Sequence, residues 1–355
     1  MTVSDTNNEL YILGIESSCD ETAAAVVSGN KRILSNVIYS QIAEHKQFNG
    51  VVPEIAARSH LEKIDLVVQK ALDDAGIAIS GLSAVAGTCG PGLIGGVIVG
   101  ATFAKGISLA ANIPFIAVNH IEAHALTVRL TEDNIEFPYL LLLASGGHCQ
   151  ICIVHSHDNF EVIGQTLDDS VGESFDKVAK MLNLGYPGGP ILEKWAENGD
   201  EKRFDFPRPL CNKNSMDFSF SGLKTSVRIL AEKVFAAQGN NHDQEKADIC
   251  ASFQRTVAEI LVYKMNLAFE YCKKRGIATN AAVIAGGVAA NKYIRSSLQS
   301  LCEKQKTRFA VPPIALCTDN GAMIAWAGIE KFPKGQFATL DFKPRPRWPL
   351  KNSCL

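Results

Sequence analysis

The chain has 355 residues, is 46% hydrophobic and 20% charged, and carries a formal net charge of −2. That length is long for one core and leads us to expect two domains, with a composition ordinary for a soluble globular protein. The near-neutral balance excludes an overall basic signature, so a nucleic-acid partner would have to be held by a local patch. Ten cysteines are scattered along the chain. The closest pair, Cys149 and Cys152 in CQIC, lies in an apolar strand-like run, which points to reduced, buried thiols and not to a disulfide framework. No apolar run reaches membrane-spanning length without glycine and charge interruptions. The start, MTVSDTNNEL, has no signal or transit character, so we expect a cytoplasmic protein.

Residues 10–17, LYILGIES, read as an apolar strand, SCDET as an acidic turn and AAAVV as a returning strand. Pro53 can open a helix. From Ile55 to Ala75, helical spacing of Ile55, Leu61, Ile64, Val67, Val68, Ala71 and Leu72 predicts a helix that Gly76 ends. SAVAG is a buried strand running into the glycine-rich turn TCGPGLIGG and a helix of small residues. This is neither GxGxxG nor a P-loop; it serves either tight packing or anion approach. IPFIAV then leads to NHIEAHAL, where His120 and His124 are four apart. On a helix they lie about 40° apart around the axis, a spacing at which two imidazoles can share one metal ion. An HxxxH of this kind also arises by chance.

The second half repeats the first. With Tyr11 set on Tyr139, YILGIESSCDETAAAVVS lies over YLLLLASGGHCQICIVHS without a gap. AVAGTCGPG (84–92) resembles AVIAGGVAA (282–290), and PFIAVNHIEAHA resembles RFAVPPIALCTDNGAMIAWA (308–327). One α/β unit is thus used twice. We place the units at 1–135 and 136–345, with a mainly helical insertion at about 172–275 in the second and a tail at 346–355. Packed face to face, such units would put His120 and Asp319 on opposite walls of one cleft. Asp319 then either completes a His₂–carboxylate set or caps the helix that follows it.

Nine motifs in order carry a resemblance over about residues 12–343: GIESSCDET, GVVPEIAARSH, GPGLIGGVIVG, NHIEAHAL, SGGHCQ, DDSVGESFDKVAKMLNLGYPGGP, FSFSGLKT, AGGVAANKYIR and CTDNGAMIA. The chain resembles the tRNA threonylcarbamoyladenosine synthesis family, known in bacteria as TsaD and once described as O-sialoglycoprotein endopeptidases. The resemblance implies an α/β fold of duplicated ribonuclease H-like units, the actin/Hsp70/sugar-kinase (ASKHA) fold, with the active site in the cleft between them. It implies transfer of the threonylcarbamoyl group from threonylcarbamoyl-AMP to the N6 amine of the adenosine next to the anticodon (position 37), in tRNAs reading codons that begin with adenine. AMP is released. His120, His124 and Asp319 match the ligands of one divalent metal ion, iron first and zinc as the alternative. Leu143, Ala144, Ser145, Gly146, Gly147, Asp176, Gly189, Glu193 and Asn291 match substrate-binding positions, and Asp20 and Glu21 an acidic tip. No catalytic residue is assigned beyond these. Ala144 stands for a common valine and Cys149 for a common threonine. The implied partners are tRNA, an inactive paralogue (TsaB-like) and a small ATPase (TsaE-like), with no membrane.

The residue types agree with that chemistry. The adenine amine is a poor nucleophile, so the carbonyl it attacks must be polarised and the substrates aligned. SGG has little side chain, and its N–H groups can approach anionic oxygens. Asp176, at the start of the helical pattern DKVAKML, either accepts from hydroxyls or is an ordinary first-turn helix acid. Lys224, Arg228, Lys292 and Arg295 are candidate phosphate contacts or a solvated face. The hairpin His155 and His157 read as solvated. A zincin protease needs HExxH, but Glu122 is two residues after His120, about 200° round the helix. An ATPase or kinase of the same fold is the other reading, although such enzymes hold Mg²⁺ through carboxylates and water.

Overall fold

The computed structural model describes residues 9–48, 50–236 and 242–350. Two compact units divide the chain, residues 1–131 with 319–350 and residues 132–318 with 351–355. In the first unit, β1 (Tyr11–Glu16), β2 (Glu21–Ser28) and β3 (Ile33–Ser40) form an antiparallel meander. A short α1 (Ile42–His45) and the long α2 (Pro53–Ala75) follow, then β4 (Ala84–Thr88), α3 (Ile94–Ala111), β5 (Phe115–Val118) and α4 (His120–Thr131). β4 and β5 extend the sheet in parallel, giving the order β3-β2-β1-β4-β5.

The second unit opens with β6 (Tyr139–Ala144), β7 (Cys149–Ser156) and β8 (Asn159–Gln165). Four helices come next: α5 (Val171–Met181), α6 (Gly188–Ala196), α7 (Ser221–Ala236) and α8 (Asp243–Lys274). β9 (Ala281–Ala285), α9 (Lys292–Lys304) and β10 (Arg308–Ala310) close its sheet in the order β10-β9-β6-β7-β8. The two sheets therefore share one topology, as the internal repeat predicts. Even the register carries over: Ile12 pairs with Ala84 and Leu140 with Ala282, the aligned residues in each case. The hairpins differ by two, since Glu16 pairs with Ala23 but Ala144 with Cys149. An even slip leaves every side chain on its own face.

The last helix, α10 (Gly321–Lys331), departs from the sequence expectation. We expected residues up to 345 in the second unit, yet 319–350 pack with the first. Close backbone approach explains this. A Cβ on Gly14 of β1 would stand 2.3 Å from the Ala325 nitrogen of α10, so only glycine lets the helix lie on the strand. Beyond α10, the backbone N–H of Arg345 donates to the Cys89 carbonyl at 2.7 Å, and Gly92 N–H to Pro346. Gly90 (φ 128°) accommodates that strap, because a Cβ there would overlap the Arg345 carbonyl.

α2 starts with Pro53 in its first turn and ends at Gly76 in the left-handed region, as expected. Of its predicted inward residues, Leu61 is the exception, with 69% of its surface exposed. α3 is long and apolar enough to cross a membrane by length and composition. Its Val97, Ala101 and Ala104 are buried within this unit. None of the nine described cysteines is in a disulfide, and burial raises the thiols of Cys149 and Cys152.

Candidate metal centre

His120 opens α4 at the end of β5. Asn119 caps the helix, accepting from Ile121 N–H at 2.8 Å, and the His120 N–H donates to the Gly90 carbonyl at 2.8 Å. His124 follows one turn later, with its ring edge-on to that of His120 and the centroids 4.7 Å apart. Asp319 arrives with α10. Its Oδ1 lies 3.0 Å from His124 Nε2 and 3.5 Å from His120 Nε2. One ligand atom from each of the three lies within 4.8 Å of the others, with both histidines buried. Asp319 is not the helix cap: Asn320 takes that role, accepting from Met323 N–H. The expected opposite walls also give way, because all three residues belong to the first unit.

Behind His120 stands Glu16, which is fully buried at the end of β1. Its Oε2 is 3.0 Å from His120 Nδ1 and accepts from the Thr88 hydroxyl at 2.6 Å, while Oε1 accepts from the Ser18 N–H. Burial acts to raise the Glu16 carboxyl, but His120 outweighs it and holds the group below its usual range. Burial likewise disfavours an imidazolium at His120, yet Asp319 and Glu16 together push its pKa up to about 9. Glu21 stays well above the carboxylate range, through burial first and then the charges of Asp319 and Asp20. The turn bearing it is anchored by buried His60, whose Nε2 lies 3.0 Å from the Cys19 carbonyl and Nδ1 2.8 Å from the Thr22 hydroxyl. So many carboxylates around two imidazoles suit a divalent cation, and the donor set of two nitrogens and an oxygen fits one.

The sequence passed over Glu16. Its signal was one acid at the end of an otherwise apolar strand, LYILGIES. His60 was visible only as the end of GVVPEIAARSH.

The matched substrate positions all lie in the second unit. Leu143 and Ala144 are buried at the end of β6. Ser145 N–H donates to the His148 carbonyl at 2.8 Å, which makes SGGH a tight turn, and a Cβ on Gly146 or Gly147 would meet nothing within 4 Å. Asp176 is not a first-turn acid, because α5 begins at Val171 with Ser170 as its cap. Its carboxylate accepts from Gly188 N–H at 2.8 Å and so pins the turn leading to Gly189. Glu193 accepts from Lys292 N–H at 2.7 Å. Asn291 caps α9, and its amide donates to Gln254 at 2.7 Å. Of the basic candidates, Lys224 is paired with Asp169, Arg228 is 3.9 Å from Glu232 and Arg295 donates to the Ala289 carbonyl. His155 pairs with Glu161 on the hairpin.

The family described as TsaD, tRNA N6-adenosine threonylcarbamoyltransferase, matches residues 32–326. The chain belongs to this family. Proteins of that name from Brucella canis and Brucella ovis are each 54% identical to it over 347 residues, covering 96% of this chain and 95% of theirs. Among solved structures, HypF of T. kodakarensis superposes with a TM-score of 0.60 at 15% identity, over 92% of this chain and 48% of that one. Component A of the (R)-2-hydroxyglutaryl-CoA dehydratase of Acidaminococcus fermentans gives 0.52 at 16%, over 92% and 99%. These distant likenesses agree with the duplicated ASKHA fold. For this threonylcarbamoyltransferase-family chain, the protease reading meets a second obstacle: Glu122 is buried and ion-paired with Lys331 at 2.8 Å.

Proposed function

We propose that the protein transfers the threonylcarbamoyl group of threonylcarbamoyl-AMP to the N6 amine of adenosine 37 in tRNAs reading codons that begin with adenine. The observation that carries this reading is an intact His120–His124–Asp319 cluster in a chain that belongs to the threonylcarbamoyltransferase family over nearly its whole length. These three residues would hold one divalent ion, iron or zinc, which as a Lewis acid would stabilise negative charge on substrate oxygens. In the second unit, the N–H groups of Gly146 and Gly147 serve anionic oxygens of the adenylate, and Leu143, Ala144 and Ser145 set their position. Gly189, next to the Gly188 N–H that Asp176 holds, leaves room for the ribose, and Glu193 and Asn291 complete the substrate contacts. Orientation of the weakly nucleophilic amine is the chain's own contribution to rate. The amine loses a proton as its bond to the carbonyl carbon forms and the bond to the phosphate oxygen of AMP breaks. A TsaB-like paralogue, a TsaE-like ATPase and a cytoplasmic setting belong to the same reading.

Reconstitution with tRNA, threonine, bicarbonate, ATP and the partner proteins, followed by nucleoside analysis, tests it. We expect modified adenosine with the wild type and at least a hundredfold less with His124→Ala or Asp319→Ala, both folded. Equal modification by these variants would refute the metal role. Phosphoryl transfer by this chain alone, with no modified nucleoside, would favour a kinase instead.

A further inference from the structure

We infer that Glu16 is the positioning residue of the metal centre: it accepts the hydrogen bond of the His120 Nδ1–H and so turns Nε2 toward Asp319. The inference rests on the metal reading proposed above. Glu16 is completely buried, and an unpaired carboxylate there would be costly. Its bonds run to three donors on three separate segments: Ser18 N–H after β1, Thr88 Oγ at the end of β4, and His120 Nδ1 at the start of α4. The carboxylate therefore ties the His120 ring to the sheet. An ionised carboxylate only accepts, so the nitrogen facing it must carry the proton. A cation at the other nitrogen, Nε2, which faces Asp319 Oδ1 at 3.5 Å, would displace the proton there and leave Nδ1–H donating to Glu16. A histidine ligand whose second nitrogen donates to a carboxylate is fixed in both tautomer and orientation.

Glutamine cannot replace this group. It has one acceptor oxygen, so its NH₂ would be set against either Ser18 N–H or the Thr88 and His120 donors. Competitive titration of full-length protein with Zn²⁺ and a chromophoric chelator reads the effect. Wild type should take up one Zn²⁺, with His124→Ala at least a hundredfold weaker. Glu16→Gln should be about 10–100-fold weaker while keeping its far-UV circular dichroism. Nitrogen-15 NMR of Zn²⁺-loaded wild type should show His120 protonated at Nδ1 and metallated at Nε2. That spectrum does not depend on whether Glu16→Gln folds.

A folded Glu16→Gln that binds Zn²⁺ within twofold of wild type would overturn the inference. Metal on Nδ1 of His120 would do the same, and either result leaves the metal reading standing. If wild type takes up no Zn²⁺, or His124→Ala takes it up equally well, both fall together. Thr88→Val, which removes one arm of the same carboxylate, should weaken binding several-fold, and unchanged affinity there also counts against the inference.

Discussion

His120 lies against Glu16 on one side and Asp319 on the other, and this sets a pH dependence. Its pKa in the folded protein is about 9, against 6.5 for the free side chain. A raised histidine pKa means that the ion pairs stabilise the metal-free protein fully below pH 6.5 and fade as pH rises through 9. Metal must displace the same proton, so apparent Zn²⁺ affinity should rise by up to about tenfold per pH unit over that window. A chelator competition repeated between pH 6.5 and 8.5 checks this; a flat profile would contradict it. A second buried group makes a structural prediction. Lys264 on α8 is fully buried and donates to the carbonyls of Leu210 and Ser215 at 2.8 and 2.7 Å. Lys264→Met would orphan both acceptors and should cost about 3 kcal/mol, read as a lower urea midpoint with modification chemistry retained. Neither Glu16 nor Lys264 could be singled out from the chain, since an acid in a strand and a lysine in a helix are ordinary until their surroundings are known. His120 and His124 were legible, because their spacing is a local property of one helix.

At the level of elements, α10 connects packing to the site. It rests on β1 through the bare backbone of Gly14 and delivers Asp319 to the two histidines. Gly14→Ala should push the helix off the strand, since the added carbon meets backbone that cannot rotate away. We expect roughly 1–3 kcal/mol of lost stability and at least tenfold weaker Zn²⁺ binding, although position 14 is not a ligand. A thermal melt and a metal titration of the same sample test this, and loss of stability with unchanged affinity would disconnect the helix from the site. The strands and α2 were readable from pattern and punctuation: Pro53 starts the helix and Gly76 stops it. The start of α5 was not, because Ser170 follows two aspartates and only its bond to Glu173 N–H shows which residue is the cap. That displacement removes the first-turn-acid alternative for Asp176 and leaves it as the clamp on Gly188.

For the whole molecule, the chain leaves its first unit at residue 131 and returns at 319. A fragment of residues 1–135 would leave bare the strands that α10 covers, so it should be aggregation-prone and bind a hydrophobic dye. Residues 9–131 joined by a short linker to 319–350 should instead fold, giving a dispersed NMR spectrum and a Zn²⁺ site. If the shorter fragment folded equally well, the returning segment would be dispensable. The repeat of strand order, the helical insertion and the HxxxH pair were legible in residue order, because alternation, helical spacing and duplication are properties of neighbours along the chain. The grouping of Asp319 with His120 and His124 is already an expectation of the repeat and of the family resemblance, whereas the unit to which the final helix belongs and the partner of each buried carboxylate were settled only by folding. Each depends on contacts between residues from 72 to more than 300 apart in the chain, such as Glu16 with Thr88 and Gly14 with Ala325, and is decided by whether a position such as Gly14, which has no Cβ, leaves room for the approach.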